Sequence, residues 1–406
     1  MVMSMSRNFH FVIVGGGILG SALAALAAGA GMEPLVLRRS DVIAPNADTL
    51  RNQGWLQSGV MYPISHFENE SAYRSFAAKT FFAGRQLLEI CGLPIPNSCG
   101  LLGVSEAFHV EQLTKKRALL NLSEHEFREL ESDEADRILG AYREPLATYY
   151  RIPDAPFNEA MVLDHFRREA IAGGAQFVEV DHPVSLARVS GGVKILFDDG
   201  REIESPIVVV TAGVGSFGLM QQCGVTLEGT MQRTPLVVGD APLDMPAPIM
   251  IDLDRGFSAV RHERGGDAGA AVVMGTRAKT LHDGHIDRVI PHADQQKFLE
   301  GVPPVFQSSM ATGRYTAGYE VMPQRSAGVS AYEPWIKEEG PLLFASPGRA
   351  TVSFMAAQDL FQAVLQRWLP AQQARTTHLD LSCCAAWDSE IAMHYTSFYS
   401  FNDAEA

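Results

Sequence analysis

A strand, a glycine turn and a helix in immediate succession constrain this chain more than any other feature. FHFVIV, at 9–14, is a short apolar run rich in branched side chains and reads as a buried strand. GGGILGSALAALAAGAG follows, a tight turn opening an alanine-rich helix that stops at glycine. EPLVLRR is the next strand, so one βαβ unit is complete within about 30 residues. Gly15, Gly17 and Gly20 stand in G-x-G-x-x-G spacing where the strand meets the helix. The first glycine permits the turn, the second lets backbone approach a pyrophosphate, and the third lets helix pack on strand. The helix N-terminus, which Ile18 opens, offers N–H groups and a positive dipole end to phosphates. The unit therefore reads as a dinucleotide site. The stretch 11–37 is low in charge, but its six glycines, its alanines and Pro34 argue against a membrane span.

The second strand ends on Arg38 and Arg39, where an acceptor for the adenosine ribose is usual. Arginine only donates. Either side chain pairs with a 2′-phosphate, which raises NADP as a rival cofactor, or faces solvent or the adenine ring. Asp41 stands close enough in sequence to supply the missing acceptor.

Forty-seven acidic against 33 basic side chains give a formal charge of −14, which disfavours nucleic acid and anionic membrane surfaces as partners. Cys91, Cys99, Cys223, Cys383 and Cys384 make no metal-ligand pattern. Their odd number, with no visible targeting signal, suggests reduced thiols and a cytoplasmic protein.

Helices are expected over 71–91, 111–138 and 158–172, the last ending at Gly173 and Gly174. Strands follow in AQFVEV, PVSLARV, GVKILF and PIVVV, with a hairpin at Asp198–Asp199–Gly200. Strand-like runs over 231–278 lack βαβ spacing and suggest an antiparallel sheet, and 340–368 returns to strand, loop and helix. The expected fold is α/β: a doubly wound, Rossmann-like dinucleotide domain (1–95, 150–228 and 310–372) with an inserted, mainly antiparallel α+β substrate domain (96–149 and 229–309) and a tail at 373–406.

Four segments resemble the D-amino-acid-oxidase superfamily of FAD-dependent oxidoreductases. FVIVGGGILGSALAALAAGAGMEPLVLRR is similar to its N-terminal fingerprint, and LRNQGWLQSGVMYP to a segment of the L-2-hydroxyglutarate dehydrogenase branch. PVSLARV with GVKILFDDGREIESPIVVVTAGVGS resembles the family's middle segment, and LLFASPGRATVSFMAAQDLF its closing strand and helix. The resemblance implies FAD as cofactor. It implies that Val184 lies against adenine and that Thr211, Ala212 and Gly213 border the cofactor. Arg51, Asn52, Gln53 and Gly54 would run beside pyrophosphate and flavin. Gly348, Ala350, Thr351 and Val352 would set a helix N-terminus at the flavin's pyrimidine edge, where the reduced ring is anionic.

Two departures from the family bear on chemistry. Gln57 stands where the hydroxyglutarate-type segment has histidine, and glutamine cannot act as a base. Glu320, in AGYEVMP, stands where amino-acid-oxidising relatives carry an arginine for the substrate carboxylate, which leaves Arg325 or Arg349 to substitute. Tyr62 and Tyr319 complete the candidate catalytic set with Gln57 and Arg349. His262, His282, His285 and His292 crowd one region without metal-site spacing, and no metal is expected. The expected activity is hydride removal from a CH–N bond of a small amine or amino-acid-like substrate. The alternatives are CH–OH oxidation of a 2-hydroxy acid, a flavin-binding subunit without catalysis, or an NADP-dependent reductase. The electron acceptor, oxygen or another carrier, is not written in the sequence.

Overall fold

A computed structural model describes residues 7–8, 11–39, 52–93, 100–122, 126–263, 269–276, 280–282, 290–311, 313–324 and 332–372. Its centre is a six-stranded sheet in the order Trp335–Glu339, Leu342–Ser346, Val208–Val210, Val12–Val14, Leu35–Arg39, Gln176–Val180. All neighbours run parallel except the edge pair Trp335–Glu339 and Leu342–Ser346. A parallel sheet is buried on both faces, which is why these strands are unbroken apolar runs. Ile13, Val36, Val209 and Leu343 face the helices Ile18–Gly29, Glu159–Ala172 and Ser353–Gln372. Val12, Val14, Leu35, Leu37 and Phe344 face the opposite way, onto Leu186, Val193 and Ile195 of a three-stranded antiparallel meander.

The first helix is alanine-rich because it is enclosed. Ala22, Ala24 and Ala27 have no exposed surface. Small side chains let the helices approach closely: a Cβ on Gly173 would lie 2.7 Å from that of Ala28. The helices Glu159–Ala172 and Ser353–Gln372 meet through Phe166 stacked on Phe354, ring centroids 5.5 Å apart. The first helix ends where Gly31 takes φ +76° and Met32 N donates to Ala27 O.

The second body is a large, mainly antiparallel sheet. Its order is Thr280–His282, Gly229–Asp240, Ala270–Gly275, Phe257–Glu263, Ile249–Asp252, Gly100–Val104, Thr148–Ile152, Arg128–Glu129. Arg314–Pro323 pairs with Gly229–Asp240 along its whole length. That strand, and most of Thr148–Ile152, were expected within the dinucleotide domain, and the ladders put both in the second sheet. The reason is visible in 314–323: its ladder belongs to one body, while Ala317, Tyr319 and Val321 pack into the core of the other. The expected single helix over 111–138 is also corrected. Ala107–Leu120 stops at Asn121, whose left-handed backbone (φ 47°) ends the helix, and Ser132–Leu139 is a separate helix after the strand Arg128–Glu129. The helices at Glu70–Ile90 and Glu159–Ala172 start as expected, each on an asparagine whose side chain accepts from first-turn amides. The tail 373–406 lies outside the described residues.

Gly20 packs the first helix against the turn so closely that a Cβ would lie 1.9 Å from Gly15 O. Gly20→Ala should therefore cost about 3 kcal/mol of stability, the upper range for overpacking. Urea unfolding that shows no loss would contradict this packing.

Candidate functional site

A cavity of about 790 Å³ opens at the carboxyl ends of the parallel strands, within the size range of cofactor pockets. Gly15, Gly17 and Ile18 line it, as do Thr211, Ala212 and Gly213 across the sheet. Gly15 holds φ +123°, and a Cβ there would fall 2.5 Å from the Thr211 carbonyl. Thr211 Oγ1 donates to Gly15 O at 2.9 Å, tying the two loops. Gly17 caps the helix without a side-chain bond, and the first turn holds no acid, so nothing there competes with an anionic ligand. These features fit a dinucleotide phosphate. Gly20 lies behind the cavity wall and acts through packing.

Beside this loop, Val180, Pro183 and Val184 form an apolar wall with Arg38 and Arg39. Arg38 pairs with Glu179 on the adjacent strand, its direct register partner. That pairing already meets its charge, which argues against the 2′-phosphate reading. Arg39 is exposed. Arg167 also lines the cavity, reaching from the helix Glu159–Ala172 to donate to Gly16 O at 3.2 Å. Sequence reasoning missed it, since nothing distinguishes one arginine of HFRREA from its neighbour.

The segment 52–58 joins the two bodies. Asn52 Oδ1 accepts from Gly54 N at 2.7 Å. Gln53 reaches into the second sheet, donating to Ser258 O and Val273 O and accepting from Ser258 Oγ. His262 Nε2 lies 2.8 Å from Gln53 O, so it carries the proton there, and burial pulls its pKa down. Trp55–Leu56 pairs antiparallel with Ala155–Pro156. Asp154, fully buried, then fixes both sides of Gln57: Oδ2 accepts from Trp55 Nε1 at 2.7 Å, and Oδ1 from Ser58 N at 3.0 Å and from Ser58 Oγ. Burial raises the Asp154 pKa to about 6 and lowers that of Lys116, which faces it and donates to Val60 O, to about 8. Under the same segment, burial raises Glu159 to about 8, so it is a neutral acid at pH 7. Arg51 lies outside the described residues. Gly54 is buried against Phe157 O and His262 and does not line the cavity.

At the far end stand Gln57, Tyr319, Glu320, Gly348, Arg349, Ala350 and Thr351. Thr351 Oγ1 accepts from Gln57 N at 3.2 Å, and the last helix begins just beyond, at Ser353. Val352 is buried behind that turn and does not line the cavity. Tyr62, one of the expected catalytic candidates, is likewise withdrawn from it: its hydroxyl donates to Gln57 Oε1 at 2.6 Å, and burial raises its pKa. Arg349 donates to Glu320 Oε1 at 2.6 Å, and its guanidinium lies over the Tyr332 ring, 5.2 Å from the centroid. Tyr332 stacks on Tyr62 at 4.6 Å. Arg325 lies outside the described residues. Among the described residues one group has metal-ligand geometry, Glu106, His109 and Asp254. There Asp254 already accepts from Ser105 N and Oγ, Glu106 N and His109, closing the start of a helix.

The chain matches the model of the FAD dependent oxidoreductase (DAO) family over residues 10–359, and it belongs to that family. It is therefore an FAD-dependent oxidoreductase, and the matched model describes the family as a whole. No curated protein matches the sequence significantly. Among solved structures, L-proline dehydrogenase from P. horikoshii superposes with a TM-score of 0.67 at 15% identity, over 89% of this chain and 94% of that one. Iminodiacetate oxidase from Chelativorans sp. BNC1 gives 0.67 at 18% identity, over 92% and 97%. L-α-glycerophosphate oxidase from Mycoplasma pneumoniae, solved with FAD bound, gives 0.68 at 13% identity, over 89% and 94%. At these identities the likeness is one of fold. Among the described residues no helix is long and apolar enough to cross a membrane.

In the folded chain Asp154 keeps its proton up to about pH 6, in the unfolded chain only to about pH 4. Between those values the folded state binds the extra proton, so this group's contribution falls as pH rises and is constant above. Asp154→Asn, which cannot ionise, should therefore gain stability relative to the parent between about pH 4 and 6.5, by on the order of 3 kcal/mol. A difference in unfolding free energy that stays flat with pH would show that the carboxylate carries no such cost.

Proposed function

We propose that this chain oxidises a CH–N bond of a small amine or amino-acid-like molecule, using the far end of the cavity as its substrate site. The observation that carries this reading is the lack of a free base among the described residues there. Gln57 cannot take a proton, and its Oε1 is occupied by the Tyr62 hydroxyl. The Glu320 carboxylate is engaged by Arg349. Removing a hydride beside a hydroxyl calls for a base to take the O–H proton, whereas a neutral amine needs chiefly alignment. The dehydrogenase and the oxidase of similar fold that are named for proline and iminodiacetate support the same choice.

In this reading Gly15, Gly17 and the start of the first helix would hold the pyrophosphate of FAD, with Arg167 beside them. Val184 would face adenine, and the turn 348–351 would meet the flavin's pyrimidine edge with a helix N-terminus. FAD, when bound, would supply a two-electron hydride acceptor; a neutral amine that gives up hydride is left as the iminium cation, so the chain has no proton to take in that step. The protein's own part is position and exclusion of water. Asp154 sets the height of the Gln57 loop, Thr351 ties that loop to the start of the last helix, and Tyr319 and Glu320 close the cavity from the second sheet. The reading includes a cytoplasmic setting, which the unpaired Cys91 and Cys223 support and cell fractionation tests. Whether oxygen or another carrier reoxidises the flavin is decided by mixing reduced protein with air.

Anaerobic mixing of the FAD-loaded protein with amines, amino acids and 2-hydroxy acids tests the function directly. Amine or amino-acid substrates should bleach the flavin absorbance. Bleaching by hydroxy acids alone would establish CH–O oxidation, and no bleaching by any class would leave a flavin-binding protein. Gln57→Ala should slow flavin reduction by about tenfold or less, because it removes one neutral hydrogen bond. A loss of about a thousandfold with full FAD content would make Gln57 a catalytic residue.

A further inference from the structure

Arg349 and Glu320, the charged side chains lining the far end of the cavity among the described residues, are paired with each other. Their charges largely offset one another, so a negative charge arising there has to be met chiefly by neutral donors. Gln57 is a side chain built for that task. It lines the cavity, half-buried, and its backbone N–H is tied to Thr351 Oγ1 at 3.2 Å, in the turn before the last helix. Its amide has two unlike ends. The oxygen accepts from the Tyr62 hydroxyl at 2.6 Å, and Tyr62 stands behind the cavity wall, 3% exposed. The nitrogen makes no hydrogen bond among the described residues. With its oxygen drawn into the wall, Gln57 shows the cavity an N–H₂ group, two donors and no acceptor.

The two ends of a glutamine amide have nearly the same shape, so an unheld amide turns over and shows a ligand either one. Tyr62 removes that freedom. Its ring stacks on Tyr332 with centroids 4.6 Å apart and lies against Phe76 at 5.3 Å, inside an apolar cluster with Val60 and Tyr73. A ring so enclosed cannot swing its hydroxyl away from Gln57. Burial also holds the phenol's pKa above its usual value, so the hydroxyl keeps its proton and stays a donor. A neutral donor bonds more strongly to an anion than to a neutral acceptor, and so it favours whichever state of a cofactor carries the negative charge. The geometry points to Tyr62 as a positioning residue: by holding the Gln57 oxygen it aims the N–H groups of that amide at the bound flavin, where they favour the reduced, anionic ring over the oxidised, neutral one. This rests on the reading above for the placement of the flavin beside the turn 348–351, and not on its choice between CH–N and CH–O.

The test is the two-electron midpoint potential of the FAD-loaded protein, titrated without air against a reference dye and with no substrate present. Gln57→Leu should shift the equilibrium about tenfold toward oxidised flavin, a fall of about 30 mV, the effect of losing one hydrogen bond to a charged group. Tyr62→Phe keeps the ring and its stacking but frees the amide, and should give part or all of the same fall. The two substitutions combined should lower the potential no further than Gln57→Leu alone, because Tyr62 acts through Gln57. Additive shifts would show that Tyr62 reaches the flavin by another route, and the proposal fails. It fails as well if Gln57→Leu leaves the potential unchanged or raises it. A rise is what the reverse arrangement predicts, with Tyr62 donating to the neighbouring Thr80 and the amide oxygen turned to the cavity. Either variant unfolding or releasing its FAD would make the pair structural and overturn the proposal too. Amines that bleach the flavin of a protein whose potential ignores Gln57→Leu would leave the CH–N reading standing without this pair. The expected shifts in a protein that no amine bleaches would leave the pair standing without that reading.

Discussion

The backbone contact between Gly20 and Gly15 is the constraint on which the site depends. A helix can sit on a strand-to-helix turn at that distance only if Gly20 carries no side chain, and Gly15 must lack one to clear the Thr211 backbone. The contact aims the start of the first helix along the edge of the sheet, and Thr211 bonds to the same Gly15 carbonyl from the next strand over. Because Val12–Val14, Leu35–Arg39, Val208–Val210 and Leu342–Ser346 run parallel, their carboxyl ends all open on that edge. Four separate stretches of chain therefore deliver Gly15, Arg38, Thr211 and Gly348 to one cavity with no further device.

The parallel sheet makes only half of that cavity. The rest is supplied by the second sheet, and polar contacts join the two halves beside the apolar packing of Ala317, Tyr319 and Val321. Gln53 spends both ends of its amide on the backbone and side chain of the second sheet. Asp154 grips Trp55 and Ser58 on either side of Gln57. A buried carboxylate is an expensive way to fix a loop, since desolvation disfavours its charged form and leaving it unpartnered would cost more still. Its advantage is direction: three donors converging on one carboxylate leave the loop few alternative positions, which apolar packing alone does not guarantee.

The sequence displays what is local and periodic. The glycine spacing, the apolar strands of the parallel sheet, the asparagine-led helices and the fingerprint of the family can all be read within a few dozen residues. It conceals what depends on distant partners. Asp154 meets Ser58 across 96 positions, and Arg167 reaches Gly16 across 151. Neither is marked by its neighbours in the chain. The segment 111–138 has the composition of one surface helix, and a single left-handed asparagine divides it. The strand Arg314–Pro323 was hard to place because one of its faces belongs to each body. Tyr62 looked like a donor for a ligand, and the structure gives its proton to Gln57 instead.

Glu320 shows why charge has to be counted over a site and not at a position. Taken alone, an acid where relatives carry an arginine looks like the loss of substrate binding. In three dimensions a guanidinium is still present, brought in by Arg349 from the other body, and the acid stands against it. That end of the cavity thus holds an ion pair instead of a lone cation. A lone cation attracts any carboxylate and is indifferent to what else the ligand bears. An ion pair enclosed beside Tyr332 has a field that falls off faster than a lone cation's, so it draws a distant carboxylate less strongly.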